Sequence, residues 1–155
     1  MRARPNRLRT VWPANIMVSL QRGSDSEGGM PRLDKLYVLD WEMAMAGLPE
    51  VDIGSFCGEM RLLQRFYPSR QEEASTITRS FLSGYKQGSG PDEALARVTI
   101  AHVGAYLVAW APQEPLGGRE KTRETVAEGV GLLIGGAEGT REWLESSPVR
   151  HLLLR

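Results

Sequence analysis

Asn15, Asp40 and Asp52 are the residues of this chain whose types and spacing could do chemistry. Asp40 closes a short apolar, β-prone run, Leu36-Tyr37-Val38-Leu39, and Glu42 follows two positions on. Twelve residues past Asp40, beyond Gly47 and Pro49, stands Asp52-Ile53-Gly54, an acid able to open a helix. Upstream, Trp12-Pro13-Ala14-Asn15 puts an amide at the start of another β-prone run. Amide and carboxylate oxygens on neighbouring loops are hard donors suited to Mg²⁺, which keeps several waters and binds few protein groups. Phosphoryl transfer from a nucleotide uses such an ion to neutralise developing charge, held by an Asp at a strand end and an Asn from a catalytic loop. An Asp five positions before that Asn orients or deprotonates the acceptor hydroxyl.

The elements that must position these residues follow from periodicity. Asn15 to Leu20 reads as a strand with Ile16 and Val18 on one side, and Lys35 to Leu39 as its partner across the polar connection Gly23 to Gly29. A lone hairpin is marginal in water and must pack on something. After Asp52 the chain reads helical. Ile53, Phe56, Cys57, Met60 and Leu63 form an amphipathic stripe, with Asp52 placed to cap its start or to favour the positive end of its dipole. Tyr67-Pro68-Ser69 breaks that helix, and Ala74, Ile77, Phe81 and Tyr85 mark one face of a second. Pro91-Asp92-Glu93 opens a third, apolar nearly all round from Ala94 to Trp110 and expected at the centre of a bundle. A fourth spans about Arg119 to Ala137 with Val126, Val130, Leu133 and Ala137 as its inner stripe, and Gly135-Gly136 read as helix-end glycines. Gly139 precedes a short tail with Trp143 and Leu144. The fold class is mainly α (α+β), a β-hairpin packed on a helical bundle.

Composition narrows the function classes. At 155 residues the chain can bury one core. With 19 basic and 19 acidic side chains, the net charge gives no whole-molecule attraction to nucleic acid or anionic membrane, and neither partner is expected. No uninterrupted apolar run approaches the roughly 20 residues of a bilayer span. The single cysteine, Cys57, cannot form an internal disulfide, which fits a cytoplasmic setting and the role of a small buried hydrophobe. Met1 to Thr10 holds four arginines and no acid, so residues 1–11 read as an irregular or disordered leader.

Taken together, Trp12-Pro13-Ala14-Asn15-Ile16-Met17-Val18, Val38-Leu39-Asp40-Trp41-Glu42 and Asp52-Ile53-Gly54 resemble the aminoglycoside phosphotransferase-like family, small-molecule kinases with a protein-kinase-like fold. The resemblance covers about Trp12 to Ala137 and corresponds to that family's C-terminal lobe. It implies that residues 12–146 form such a lobe, followed by a tail over 147–155. The family's N-terminal nucleotide lobe, with its phosphate-contacting lysine, has no counterpart, so the chain reads as truncated.

By the same resemblance Asn15 and Asp40 are Mg²⁺ ligands and Asp52 braces the catalytic loop through its backbone amides. Glu42 would lie beside the metal and act on it through neighbouring groups. The family's loop reads H-G-D-x-x-x-x-N. Aligned on Asn15, its His, Gly and Asp fall on Leu8, Arg9 and Thr10, and none matches. A threonine is no base near neutral pH, so no catalytic residue is assigned. ATP and Mg²⁺ are the implied cofactors and a small-molecule hydroxyl acceptor the implied partner, with turnover weak or absent in this chain. The fold does not choose the acceptor.

Two other classes compete. A non-catalytic helical interaction module derived from the same fold would offer apolar surface along the hairpin to a protein partner. A metal-dependent hydrolase using Asp40, Glu42 and Asp52 lacks a second ligand cluster. Trp12 and Trp41 read as packing residues and His102 as a satisfied core or inner-groove histidine. Arg97 and Glu59 would either line an acceptor pocket or sit on a solvated helix face.

Overall fold

The two β-prone runs pair as expected. In the computed structural model, strand β1 (Ile16–Gln21) and strand β2 (Arg32–Val38) form an antiparallel hairpin with Ile16 opposite Val38 and Gln21 opposite Arg32. The structure describes residues 13–21, 31–44, 47–90, 92–114 and 116–153. The expected leader, positions Leu8, Arg9, Thr10 and Trp12, and the Gly23 to Gly29 connection lie outside them. Strand β2 starts three residues before the expected Lys35 because Asp34 gives β1 something to bind. Its carboxylate accepts hydrogen bonds from the Ser19 hydroxyl (3.2 Å) and the Gln21 amide (3.0 Å), drawing the ladder past a bulge at Ser19/Leu20.

The hairpin meets the helices at its root, where Ile16 packs on Phe56, Met60 and Ala74. Beyond that point both faces are open. Val18, expected to share a buried side with Ile16, is 54% exposed, as are Leu20, Leu33 and Leu36 to a similar degree. The period-2 pattern is present, but nothing among the described residues covers it.

Helix α1 (Pro49–Phe66) begins with Leu48 extended at its cap and Pro49 in the first helical position, where a missing N–H costs nothing. Asp52 therefore sits inside the first turn rather than at the cap, where the dipole still favours its charge. Ile53, Phe56, Cys57 and Met60 are buried as the stripe requires. After a 3₁₀ turn at Pro68–Arg70, helix α2 (Gln71–Ser89) buries Ala74 and Leu82. Phe81 and Tyr85 pack on the core as expected, but Ile77, expected inside, is about half exposed, because the packed face is centred on Leu82.

Helix α3 (Glu93–Trp110) is capped by Asp92, whose carboxylate accepts from the Leu95 N–H at 3.1 Å. Asp92→Ala should cost about 1 kcal/mol, read as a lower urea midpoint at unchanged slope. Ile100, Val103 and Leu107 are fully enclosed, and α3 packs on α1 and on α4 (Gly118–Glu138). With the turn that follows, Glu93–Gln113 is long and apolar enough by length and composition to cross a membrane. Here its apolar residues form the centre of the bundle, as the sequence led us to expect.

The inner stripe of α4 matches the expected one only in part: Val126 packs on the core and Leu133 is half-buried. Val130 is 45% exposed and Ala137 is exposed, while Thr125, Gly129, Leu132, Gly135 and Gly136 face inward. Gly135-Gly136 is thus packing surface rather than a helix end. Gly136 lies under the Arg97 carbonyl and Ala101, and Gly135 under the Trp143 ring. Helix α5 (Arg141–Ser146), capped by the Thr140 hydroxyl, leads into a segment whose Val149, Leu152 and Leu153 are buried in the same core.

Candidate functional site

The hairpin register decides the site. Because Ile16 pairs with Val38, the residues just outside the ladder, Asn15 and Leu39, are neighbours, and the Leu39 N–H donates to the Asn15 carbonyl at 2.8 Å. Asp40 then turns the chain. It has φ 62° and ψ 49°, the left-handed region, and is the one non-glycine with positive φ among the described residues. Asp adopts this conformation more readily than most residues, yet it is disfavoured, and such outliers concentrate at functional sites. The turn sets the Asp40 carboxylate beside Asn15, whose amide nitrogen lies 3.5 Å from Oδ2.

That distance is long for a hydrogen bond and close to what two ligands of one small cation require. Octahedral Mg²⁺ at about 2.1 Å from each oxygen separates adjacent ligand atoms by about 3 Å. Rotating the Asn15 amide by half a turn would bring its oxygen, instead of its nitrogen, to the carboxylate side. Asp40 is exposed and Asn15 half-buried, so waters or phosphate oxygens have room to complete the shell. Among the described residues no group of three or more His, Cys, Asp or Glu could hold a metal. The residues therefore fit an ion that takes most of its ligands from solvent or a nucleotide, and do not fit an all-protein cage.

The other sequence candidates are placed less centrally. Glu42 lies in the 3₁₀ turn Trp41–Met43, exposed, and no described hydrogen bond ties it to Asn15 or Asp40. Asp52 is half-buried in the first turn of α1, and the loop segment it was expected to brace lies outside the described residues. Trp41, read as a packing residue, is 53% exposed, its indole N–H tied back to the Val38 carbonyl.

Between α1 and α3 runs a repeated polar contact. The His102 ring covers Gly54 and its Nε2 meets the Ser55 hydroxyl at 3.1 Å; one turn on, the Tyr106 ring covers Gly58 and its hydroxyl donates to Glu59 at 2.8 Å. Each glycine admits a ring and the residue after it binds the ring's polar tip. His102 is a satisfied inter-helix histidine, as expected. Burial, and then the bond and charge of Glu59, hold the Tyr106 phenol well above its usual range. Glu59 and Arg97 are both committed to packing, Arg97 to Glu93 and the Gly139 carbonyl. Burial pushes the Cys57 thiol up to about 12, so it is a neutral core group. Sequence reasoning passed over Glu50, a buried carboxylate in the first turn of α1 whose Oε2 has no hydrogen-bond partner among the described residues. An acid directly after Pro49 was the available signal.

A mainly α body with a hairpin that brings two oxygen donors together is the class of protein defined so far. No family model matches the chain. It is similar to the 4-hydroxytryptamine kinase of Psilocybe cubensis, 31% identical over 120 residues, and to that of Psilocybe cyanescens, 28% identical over 120 residues. Those stretches cover 77% of this chain and 31% of each kinase, so the chain spans less than a third of the relatives it matches.

Proposed function

We propose that residues 12–146 form the C-lobe portion of an ATP- and Mg²⁺-dependent phosphotransferase of the aminoglycoside phosphotransferase-like group, acting on a small-molecule hydroxyl. The single observation that carries this is the convergence of Asn15 and Asp40 at 3.5 Å. Similarity to two kinases of a hydroxylated tryptamine supports an aromatic hydroxyl as the acceptor class. Asn15 and Asp40 would hold Mg²⁺, which would supply positive charge to offset that developing on the transferred phosphoryl group. In this reading Asn15 and Asp40 hold and orient that centre, Asp52 supports the segment before Asn15, and Glu42 borders it. Proton removal from the acceptor is not assigned to the described residues, because the position five before Asn15 is Thr10. Little or no turnover is expected of these 155 residues alone.

Mn²⁺, which accepts the same oxygen ligands, broadens NMR signals near its site. Titrating the protein with Mn²⁺ should broaden the Asn15 side-chain amide and the Leu39 and Asp40 backbone signals first, and excess Mg²⁺ should reverse this. Asp40→Ala should weaken the effect at least about tenfold, the loss of one charged ligand, while Glu42→Gln leaves most of it. Broadening that ignores Asp40→Ala, or that centres elsewhere, rejects the metal site.

The open hairpin favours a second reading, a non-catalytic module whose apolar ribbon is covered by a protein partner. Val18, Leu20, Leu33, Leu36 and Trp41 are each more than half exposed. A monodisperse monomer by light scattering at high concentration would count against it.

A further inference from the structure

A second constellation lies toward the other end of α1. A half-open cleft of about 380 Å³ is walled by Arg61 and Gln64 of α1, Thr78 and Arg79 of α2, Glu128 of α4 and Arg150 of the C-terminal segment. None of its walls comes from the hairpin, Asp40 or Asp52. Arg61 and Gln64 lie about 14 and 18 Å along the helix axis from Asp52 at 1.5 Å per residue.

Charge in the cleft is unbalanced. Three arginines line it against one carboxylate. Glu128 is already engaged, accepting from Arg61 on one oxygen and from Arg65 on the other. Among the described residues the guanidinium groups of Arg79 and Arg150 make neither a hydrogen bond nor an ion pair, and Arg150 bonds only through its backbone, to Ser147 and Leu153. Burial, with positive charge from Arg150, Arg79 and Lys86, lowers the His151 pKa, and as an imidazole this wall group supplies no negative charge to offset the arginines. A concave surface of one sign concentrates counter-ions, and guanidinium forks match phosphate oxygens.

The uncharged walls add a second requirement. Thr78 donates to the Ala74 carbonyl at 2.8 Å, Ser75 to Gln71 at 2.7 Å and Ser146 to Trp143 at 2.8 Å. With their hydrogens committed, these hydroxyls can offer only lone pairs, which repel a bare anion and accept from a ligand hydroxyl. The volume is that of a small-ligand site and exceeds what a free phosphate fills.

We propose that this cleft binds a small organic phosphate bearing hydroxyl groups, its phosphate between Arg79 and Arg150 and its hydroxyls donating to Thr78 and Ser146. The proposal does not depend on the metal site. Glycerol 3-phosphate, inorganic phosphate and glycerol with sulfate are titrated separately into the 155-residue protein at constant ionic strength. The ring signals of its two histidines are followed, with His102 as internal reference. The expected result is a saturable shift at His151 alone, tightest with the ester. It should weaken about tenfold in Arg79→Gln and again in Arg150→Gln, one charge-assisted contact each. Both arginines are exposed, and circular dichroism checks that the variants stay folded. No saturable shift with the ester, equal affinity for inorganic phosphate, or binding unchanged in the double variant would overturn it.

Discussion

Gly104→Ala should lower stability by about 3 kcal/mol, while Gly131→Ala in the adjoining helix should raise it by about 0.5–1 kcal/mol. The same added methyl has opposite signs because α3 and α4 touch backbone to backbone at one place and not at the other. A Cβ on Gly104 would lie 2.4 Å from the Gly129 carbonyl oxygen and 2.8 Å from the Leu133 nitrogen, and one on Gly129 2.7 Å from the Gly104 oxygen. These are main-chain atoms. No rotamer change relieves the clash, and the helices must separate, opening the core around Val103, Leu107 and Leu132. Gly131 is exposed on α4 with nothing near its Cβ position, so alanine there only restricts the unfolded chain and favours the helix. Urea unfolding of both variants at matched slope checks this. If Gly104→Ala stays within about 0.5 kcal/mol of the parent, the helices are not as close as described.

Glu128→Ala is the next largest expected loss, about 2–3 kcal/mol. This carboxylate reaches from α4 to α1 and binds Arg61 on one oxygen and Arg65, one turn later, on the other. Its side chain is 15% exposed against 30% and 34% for the arginines, so the bond is only partly shielded and falls below the range for fully buried pairs. Removing it leaves two guanidinium groups a turn apart on α1 with no shared counter-ion. A double-mutant cycle with Arg65→Ala isolates the pair term. Coupling near zero would reduce the clamp to surface decoration of the kind that contributes nothing measurable.

The closeness of Asn15 and Asp40 was legible because it follows from local rules. Pro13 and Pro49 mark where strand and helix begin, and the alternation around Ile16 and Val38 sets a register. Once those two residues pair, Asn15 and Asp40 can hardly avoid each other, since each stands within two residues of the pair. The left-handed turn at Asp40 carried no sequence signal beyond the residue's tolerance for it. Nor could periodicity reveal the arginine-lined cleft, because Arg79 and Arg150 come from distant parts of the chain.

The strand and helix identities are properties of sequence, since each depends on neighbours a few residues away, and the apolar run of α3 marked it for the centre; Asp92, read as a first-turn acid, is instead the cap. Which face of α4 turns inward was decided only in three dimensions. Val130, expected inside, is exposed, as is the equally bulky Ile134, and Gly129 and Gly136 lie against α3. Side-chain hydrophobicity rewards burial wherever space exists, whereas close helix approach is limited by backbone bulk, which a hydropathy pattern does not register. For the same reason Val149, Leu152 and Leu153 became core. The space they fill is made by α2 and α3, and exists only after those helices have packed.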